Sequence, residues 1–319
     1  MAAKINLTFV QKLAKSLFDS SEAQERFSSA LLGGEVSEKA VLWLAERPEV
    51  LPFVALPAAP WQPSFVDRVA ADEKPGKDAL HEQGAYYCLD LSSVFSATAL
   101  SEIEWGDRSR IVLDACSAPG GKAICAWKML QPSLLVCNEV IAKRAGALIS
   151  NLKRCRISGS IVTRYDTREL CAAQPNVFPL VIVDAPCSGQ SLIAKGDDSP
   201  GCFHPATINM NSNRQKRILA NCATMTAPGG YLAYMTCTYA RQENEAVVEW
   251  FLKKFPHFSS CEVHKLEAHR SALSDEPCYR LWPFDGWGAG AFVALLRNTQ
   301  VGEPEALRMD LLHSNWQFQ

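Results

Sequence analysis

Across 319 residues, 32 lysines and arginines nearly balance 34 aspartates and glutamates, giving a net charge of -2; this excludes a globally basic nucleic-acid binder and leaves only a local basic face for that role. The length suffices for one large domain and a small one. Twelve cysteines are too sparse for a disulfide scaffold, and with no CxxC pair and no histidines clustered beside cysteines, no metal site is expected.

MAAKINLTFVQKLAKSLF opens the chain as an amphipathic pattern, without the continuous apolar core of a signal peptide. No apolar run of about 18 residues follows, so no membrane span is expected. A reducing, cytoplasmic location with free thiols fits this pattern. Phe9, Leu13, Leu17, Phe18, Phe27, Leu31 and Leu32 recur at helical spacing over residues 5–32, and Gly33-Gly34 stops the segment. The spacing predicts another helix over 37–47, ended by Pro48. Five prolines between Leu51 and Lys77 argue against a long helix or a central strand there. Residues 1–82 therefore read as a small, mainly helical region, a candidate for RNA binding, ahead of a catalytic domain over 83–319.

From residue 84 a short extended piece precedes a helix starting near Ser92. Strands are then predicted at 111–118, 134–140, 160–166, 179–186, 230–237, 261–266 and 290–297. Helices are predicted at 121–130, 141–154, 212–226 and 243–255. Alternation of this kind specifies an α/β, Rossmann-like, mostly parallel sheet with helices on both faces. Such sheets bind ligands beyond the carboxyl ends of their strands.

Four acids stand at those ends: Asp114, Glu139, Asp166 and Asp184. One alone would be a cap; four in register point to a ligand. An acid at the second strand end commonly holds ribose hydroxyls, which supports a nucleoside-containing cofactor. The first strand leaves through Asp114-Ala115-Cys116-Ser117-Ala118-Pro119-Gly120-Gly121-Lys122. Its glycines permit close backbone approach to a ligand at a helix start, although a plain tight turn with a solvated lysine reads equally well. The spacing matches neither GxxxxGK[ST] nor GxGxxG, which excludes a nicotinamide dehydrogenase.

Cys187, in Asp184-Ala185-Pro186-Cys187-Ser188-Gly189, and Cys237, in YMTCTY, each follow a strand directly. If the strands are neighbours, both thiols face one crevice. The plainer alternative is two small buried residues. Cys125, Cys155 and Cys222 fall in helices and Cys137 in a strand.

Together DACSAPGGK, NEV, the Asp166 segment, DAPCSG, TCT and ENE stand in the order and spacing of a known family. Over about residues 84–297 the chain resembles the S-adenosylmethionine-dependent RNA cytosine-5 methyltransferases, the family of bacterial 16S ribosomal RNA methyltransferases and the NOL1/NOP2/Sun proteins. The resemblance implies a seven-stranded class I methyltransferase sheet. It assigns residues 114–122 to the methionine side of the cofactor, Glu139 to the ribose and Asp166 to the adenine. Asp184 would face cofactor and target base, Cys237 would be the nucleophile, and Cys187 would assist product release. Gln215, Pro228 and Gly229-Gly230 match the helix and turn before the fifth strand, and Trp282-Pro283, Gly288, Gly290 and Phe292 match the family's ending. Departures are Ser117, Ala123, Met235 and Ser191, where the family carries alanine, threonine, serine and glycine. None removes a chemical group, so an active enzyme is expected. The 22 residues after Arg297 are too few for the RNA-binding domain some relatives carry there.

The implied chemistry is covalent. A thiolate on C6 makes cytosine C5 nucleophilic toward a sulfonium methyl. Asp184 in protonated form can bond N3, and Cys187 aids elimination directly or through water. The target base must be exposed or flipped. Lys153, Arg154, Arg156, Lys195, Arg214, Lys216 and Arg217 are candidate RNA contacts, with solvated helix faces the alternative. Phe27, Trp61 and Phe65 fit core packing better than RNA contact. By family association ribosomal RNA, free or in a subunit, is the first substrate and transfer RNA the second, for a monomer. A DNA or small-molecule methyltransferase, and a catalytically silent RNA-binding or ribosome-assembly factor, are the competing readings.

Overall fold

The computed structural model describes residues 7–33, 39–70, 72–312 and 316–318. Helices α1 (Leu7–Leu17) and α2 (Ser21–Gly33) realise the opening pattern, and Gly33 ends α2. Their buried faces, Val10, Leu13, Ala14 and Leu17 with Phe27 and Leu31, do not form a separate core. They join Ile193, Phe203, Ile208, Tyr239 and Ala240 in one cluster. Phe27 stands edge-on to Tyr239, ring centroids 5.1 Å apart. Phe27 and Trp61 are buried and Phe65 packs against the core, so none is an exposed RNA platform.

The helix expected over 37–47 is not formed where the structure describes it; residues 37 and 38 lie outside the described residues. Lys39–Trp43 is strand β1. It pairs antiparallel with β3 (Val66–Val69) and β4 (Tyr86–Asp90), and β2 (Ala55–Leu56) completes a small sheet in the order β2-β3-β1-β4. The physical reason is burial on both faces. Ala40 and Leu42 enter one core, Val41 and Trp43 another, so the apolar run has no polar alternation to mark it as strand. Two short strands form in the proline-rich stretch, and β3, for which no central strand was expected, lies between β2 and β1, fitted between Pro63 and Pro75. A short helix α3 (Ala79–Glu82) leads into β4, so the small sheet crosses the expected boundary at 82/83.

The larger unit follows α4 (Leu91–Thr98). Its strands and helices are β5 (Ile111–Asp114), α5 (Gly121–Leu130), β6 (Leu134–Asn138), α6 (Ala142–Arg154), β7 (Ser160–Thr163) and α7 (Thr167–Ala173). Then come β8 (Phe178–Asp184), α8 (Ser191–Ala194), α9 (Pro205–Met225), β9 (Thr226–Thr236), α10 (Glu245–Lys254), β10 (Phe258–Cys261), β11 (Tyr279–Leu281), β12 (Ala291–Asn298) and β13 (Trp316–Phe318). The sheet order is β10-β12-β9-β8-β5-β6-β7-β13, with β11 beside β12. Strands β9, β8, β5, β6 and β7 are parallel, and β12 enters antiparallel. The seven-stranded core from β10 to β7 is thus the expected Rossmann-like sheet, with α4, α5 and α6 packed on one face and α7, α9 and α10 on the other. The strand expected at 261–266 ends at Cys261, and a 3-10 turn follows.

One buried ion pair ties the antiparallel end to the rest. Arg280 on β11, 2% exposed, makes two 2.5 Å bonds to Glu245 on α10, 0% exposed, and donates to the Tyr239 carbonyl at 2.9 Å. Burial pushes the Glu245 carboxyl up, but Arg280 and Ser271 outweigh it and hold it below the ordinary carboxylate value. A depressed carboxyl stabilises the fold above its unfolded pKa and loses that contribution as pH falls through the folded value. Arg280→Ala should therefore lower stability by about 3–5 kcal/mol at neutral pH in urea unfolding. The deficit should shrink as the pH is brought down past the carboxylate range.

Candidate active site

Beyond the carboxyl ends of β5, β6 and β7 a cleft opens to solvent. It is lined by Ala115, Cys116, Glu139, Tyr165, Asp166 and Arg214, among others. Asp114 ends β5 completely buried. Burial and neighbouring Asp184 push its carboxyl up to about 7. Its Oδ1 accepts from Cys116 N–H at 3.2 Å, while Oδ2 is buried without a partner. Ser117 Oγ lies beside it without a well-formed bond. The loop continues through Ala118 and a cis Pro119 to Gly120, which precedes α5 as its N-cap at φ +113. A Cβ there would stand 3.1 Å from Leu148 Cδ1, in a backbone region L side chains rarely adopt. Gly121 follows as the first residue of α5.

Glu139 is buried just past β6. Its Oε1 accepts from Ile141 N–H at 2.9 Å and its Oε2 lies 3.3 Å from Arg144 Nη1. Arg144 also donates to the Ala118 carbonyl at 2.6 Å, so one guanidinium links Glu139 to the glycine-rich loop. Asp166 caps α7 by accepting from Arg168 N–H at 2.9 Å while lining the cleft. Asn138 braces the floor. Its Oδ1 accepts from Thr163 Oγ1 and Tyr165 N–H, both at 2.9 Å, and its Nδ2 donates to the Tyr165 carbonyl at 3.0 Å. The acids at the β5, β6 and β7 ends thus share one rim, with Asp184 next to Asp114 on β8. A nucleoside carrying an amino acid fits this donor set and these unfilled polar atoms.

Strands β8 and β9 are parallel neighbours, with Asp184 opposite Met235. That register brings Cys187 Sγ and Cys237 Sγ to 3.4 Å. Lys122 of α5 reaches the same crevice and pairs with Asp184 at 2.9 Å. The hydrogen bond from Cys187 and the Lys122 ammonium pull Cys237 below the ordinary thiol value, against burial and the Asp184 charge. Cys187 moves well above it, because it shares its proton with Cys237 and is buried. One thiolate and one thiol are what such a pair holds. Cys116 is driven upward by burial and three nearby acids, and Cys125, Cys137 and Cys222 by burial first; none has a lowered value.

A buried polar network holds the two cysteine loops together. Glu243 Oε2 accepts from Ser188 N–H and Gln215 Nε2, each at 2.9 Å, and Gln215 also donates to the Pro186 carbonyl at 3.0 Å. Ser188 Oγ and Thr238 Oγ1 are 2.7 Å apart. Gln190 Oε1 accepts from Tyr239 N–H at 2.9 Å and Ala240 N–H at 3.1 Å, and its Nε2 donates to the Cys202 carbonyl at 3.0 Å. Sequence reasoning reached Glu243 and Gln215 only as motif letters and missed Gln190 and Arg144. Gln190 is a neutral buried amide with no charge pattern to reveal it, and Arg144 reads in sequence as one more solvated helix cation.

The basic candidates do not converge. Arg154 donates to the carbonyls of His81 and Tyr86, at 2.8 and 3.3 Å, tying α6 to the small sheet. Lys153 lies over Trp316 and Lys216 over Trp250, each 5.8 Å from the ring centre. Lys195 pairs with Asp90 at 2.9 Å. Arg156 is exposed beyond α6. Arg214 and Arg217 are exposed on α9 and line the cleft that holds Glu139 and Asp166.

Gln190→Ala should strand three buried backbone groups. Each orphaned group costs about 1–3 kcal/mol, so urea unfolding should show a loss of at least about 3 kcal/mol.

Residues 103–297 match the model of the family described as 16S rRNA methyltransferase RsmB/F. Ribosomal RNA small subunit methyltransferase F of Cronobacter sakazakii is 33% identical over 257 residues, 78% of this chain and 53% of its own. The protein of the same name from Escherichia coli is 32% identical over 250 residues, 76% of this chain and 51% of its own. The chain thus spans about half the length of the curated relatives it matches. NSun6 from Pyrococcus horikoshii, determined with SFG, shares the fold at a TM-score of 0.72 and 16% identity, covering 92% of this chain and 98% of that one. A methyltransferase homologue from the same organism does so at 0.71 and 20%, covering 92% and 100%. The matched segment contains the glycine-rich loop, the acidic strand ends and both crevice cysteines, and on it the chain belongs to the 16S rRNA methyltransferase RsmB/F family.

Proposed function

We propose that this protein methylates C5 of a cytosine in RNA, ribosomal RNA first, using S-adenosylmethionine and a covalent bond from Cys237 to C6. The observation that carries the reading is the pair of thiols at neighbouring strand ends, 3.4 Å apart, beside the Lys122–Asp184 ion pair. Relatives named as ribosomal RNA small subunit methyltransferases support the substrate class.

The loop 114–122, Glu139 and Asp166 would hold the cofactor. When bound, S-adenosylmethionine supplies the electrophilic methyl group that the activated C5 takes. Cys237 makes that activation possible. Its lowered pKa favours the thiolate, whose electron pair forms the Cys237–C6 bond and places charge across C5 and N3. Asp184, at the crevice floor beside Lys122, would meet the N3 side of the base and, in protonated form, donate to N3 as charge develops there.

Release follows from the coupling of the two thiols. Before addition, the shared proton and the Cys237 thiolate keep Cys187 protonated. In the adduct Cys237 is a neutral thioether, and that restraint on Cys187 is gone. Cys187 can then lose its proton to solvent water and, as thiolate, take the C5 proton, directly or through a water, the C5–H electron pair forming the C5–C6 double bond. The C6–Sγ electron pair returns to Cys237, and 5-methylcytosine leaves.

The test is purified protein, labelled S-adenosylmethionine and RNA from a strain lacking the gene, followed by nucleoside separation. Label should appear in 5-methylcytidine with wild type and be lost with Cys237→Ala. Cys187→Ala should accumulate a denaturation-resistant protein–RNA adduct. Because Cys237 sits below the ordinary thiol value, the single-turnover rate should level off below about pH 8.5. Label in another nucleoside would overturn the cytosine assignment. No label in free RNA or ribosomal subunits would favour a binding factor.

A further inference from the structure

The two crevice thiols are placed for a bond to each other as well as for chemistry on a base. Cys187 Sγ and Cys237 Sγ lie 3.4 Å apart. Among the described residues no other two cysteines are in sulfur–sulfur contact. The segments that carry them run side by side. Asp184 pairs with Met235 at the ends of parallel strands, and Ala185 N–H donates to the Met235 carbonyl at 2.9 Å. Just beyond the cysteines, Ser188 Oγ meets Thr238 Oγ1 at 2.7 Å. The gap between the two thiols is therefore fastened both before and after them. Adjacent strands stand about 4.8 Å apart, within the roughly 4.4–6.8 Å Cα separation that a disulfide spans. Closing the sulfurs to a bond of about 2.05 Å asks each to move by about 0.7 Å.

The pair is also unequal in the way that oxidation requires. A thiolate reacts with peroxide, and a second thiol must be near enough to displace the product. Cys237 lies below the ordinary thiol value, drawn there first by the hydrogen bond from Cys187 and then by Lys122, against burial and Asp184. Cys187 lies above it. Both are partly exposed, whereas Cys125, Cys137 and Cys222 are buried. Cys116 is partly exposed too, but its value is raised and no thiol stands beside it.

We propose that peroxide joins Cys187 to Cys237 in a reversible disulfide that switches the enzyme off. The Cys237 thiolate attacks one peroxide oxygen; an S–O bond forms, the O–O bond breaks, and hydroxide leaves and is protonated to water. The Cys187 thiol then gives up its proton and its sulfur attacks Cys237. The S–S bond forms, the S–O bond breaks, and a second water leaves with that proton. Two thiols are oxidised to one disulfide, and one peroxide is reduced to two waters. A dithiol restores both thiols by exchange. The disulfide ties up the electron pair that would add to C6, so the loss of activity rests on Cys237 being the nucleophile of the proposed reaction. The bond itself does not rest on it. Disulfide formation also stops Cys237 short of the sulfinic acid, which thiols do not reverse.

The test is purified, reduced protein treated with hydrogen peroxide, then alkylated, digested without reductant and read by mass spectrometry. In wild type the Cys187 and Cys237 peptides should appear joined and lighter by two hydrogens. Methyl-transfer activity should be lost with the same time course, and dithiothreitol should reverse both changes. In Cys187→Ser the Cys237 peptide should instead gain two or three oxygens that dithiothreitol does not remove. Wild-type Cys237 reaching that state while Cys187 is still alkylated would overturn the inference. So would a crosslink from Cys237 to another cysteine, or loss of activity without the crosslink. Failure of reduced wild type to form 5-methylcytidine would instead reject the reaction, while the crosslink is judged by mass alone.

Discussion

The pairing register of β8 and β9 is the constraint on which the site depends. Both cysteines lie just past strand ends, so a one-residue slip would turn one thiol to the opposite face of the sheet. The register is set far from the thiols. Phe178 pairs with Thr226, but two residues later Leu180 pairs with Tyr231, so Ala227–Gly230 bulges out of β9. Gly229 there has φ +67, and a Cβ on Gly230 would come within 2.9 Å of the Ala227 carbonyl oxygen and 3.0 Å of that of Pro179. These two glycines permit the bulge, and the bulge determines which β9 residue faces Asp184.

Given that register, the remaining problem is to stop the loops beyond the strands from drifting. Tyr239 is the common point of support. Phe27 packs on its ring, Gly290 leaves room beside it, and Arg280 takes its carbonyl. The N-terminal helices therefore act through packing on the segment that carries Cys237, and are not a detached module. A reactive thiol held from several directions retains its distance to Lys122 and Cys187, which a thiol on a free loop would not.

What was legible in the sequence follows from this division. Helix 121–130 and strand β5 were read well because a glycine-rich turn and a short apolar run mark them independently. The four acids and two cysteines were legible because strand ends in a parallel sheet share one edge. Strand β1 was misread because both its faces are buried, and β11 and β13 were missed because three residues carry no period. Helix α9 starts at Pro205, seven residues before the expected 212, where polar residues on its outer face hid the pattern. Gln190 and Arg144 were invisible as site residues because only the fold brings them to their partners. Lys153, Arg154 and Lys195 looked like a nucleic-acid surface, yet they meet an aromatic ring, backbone carbonyls and Asp90.

The charge in the crevice gives the proposed chemistry a direction. Asp114 is pushed up to about 7 by burial and by Asp184, so it relieves repulsion by taking a proton near neutral pH. With Asp114 protonated, Lys122 and Asp184 cancel, and the Cys237 thiolate remains as the uncompensated charge. A sulfonium cation beside that thiolate would be held more tightly than the neutral thioether left after methyl transfer. Adduct formation would neutralise the same thiolate and deprive Cys187 of its reason to stay protonated. The single charge that favours the cationic donor would then disappear in the step that calls for a base, so binding, transfer and release would be ordered by one sulfur atom.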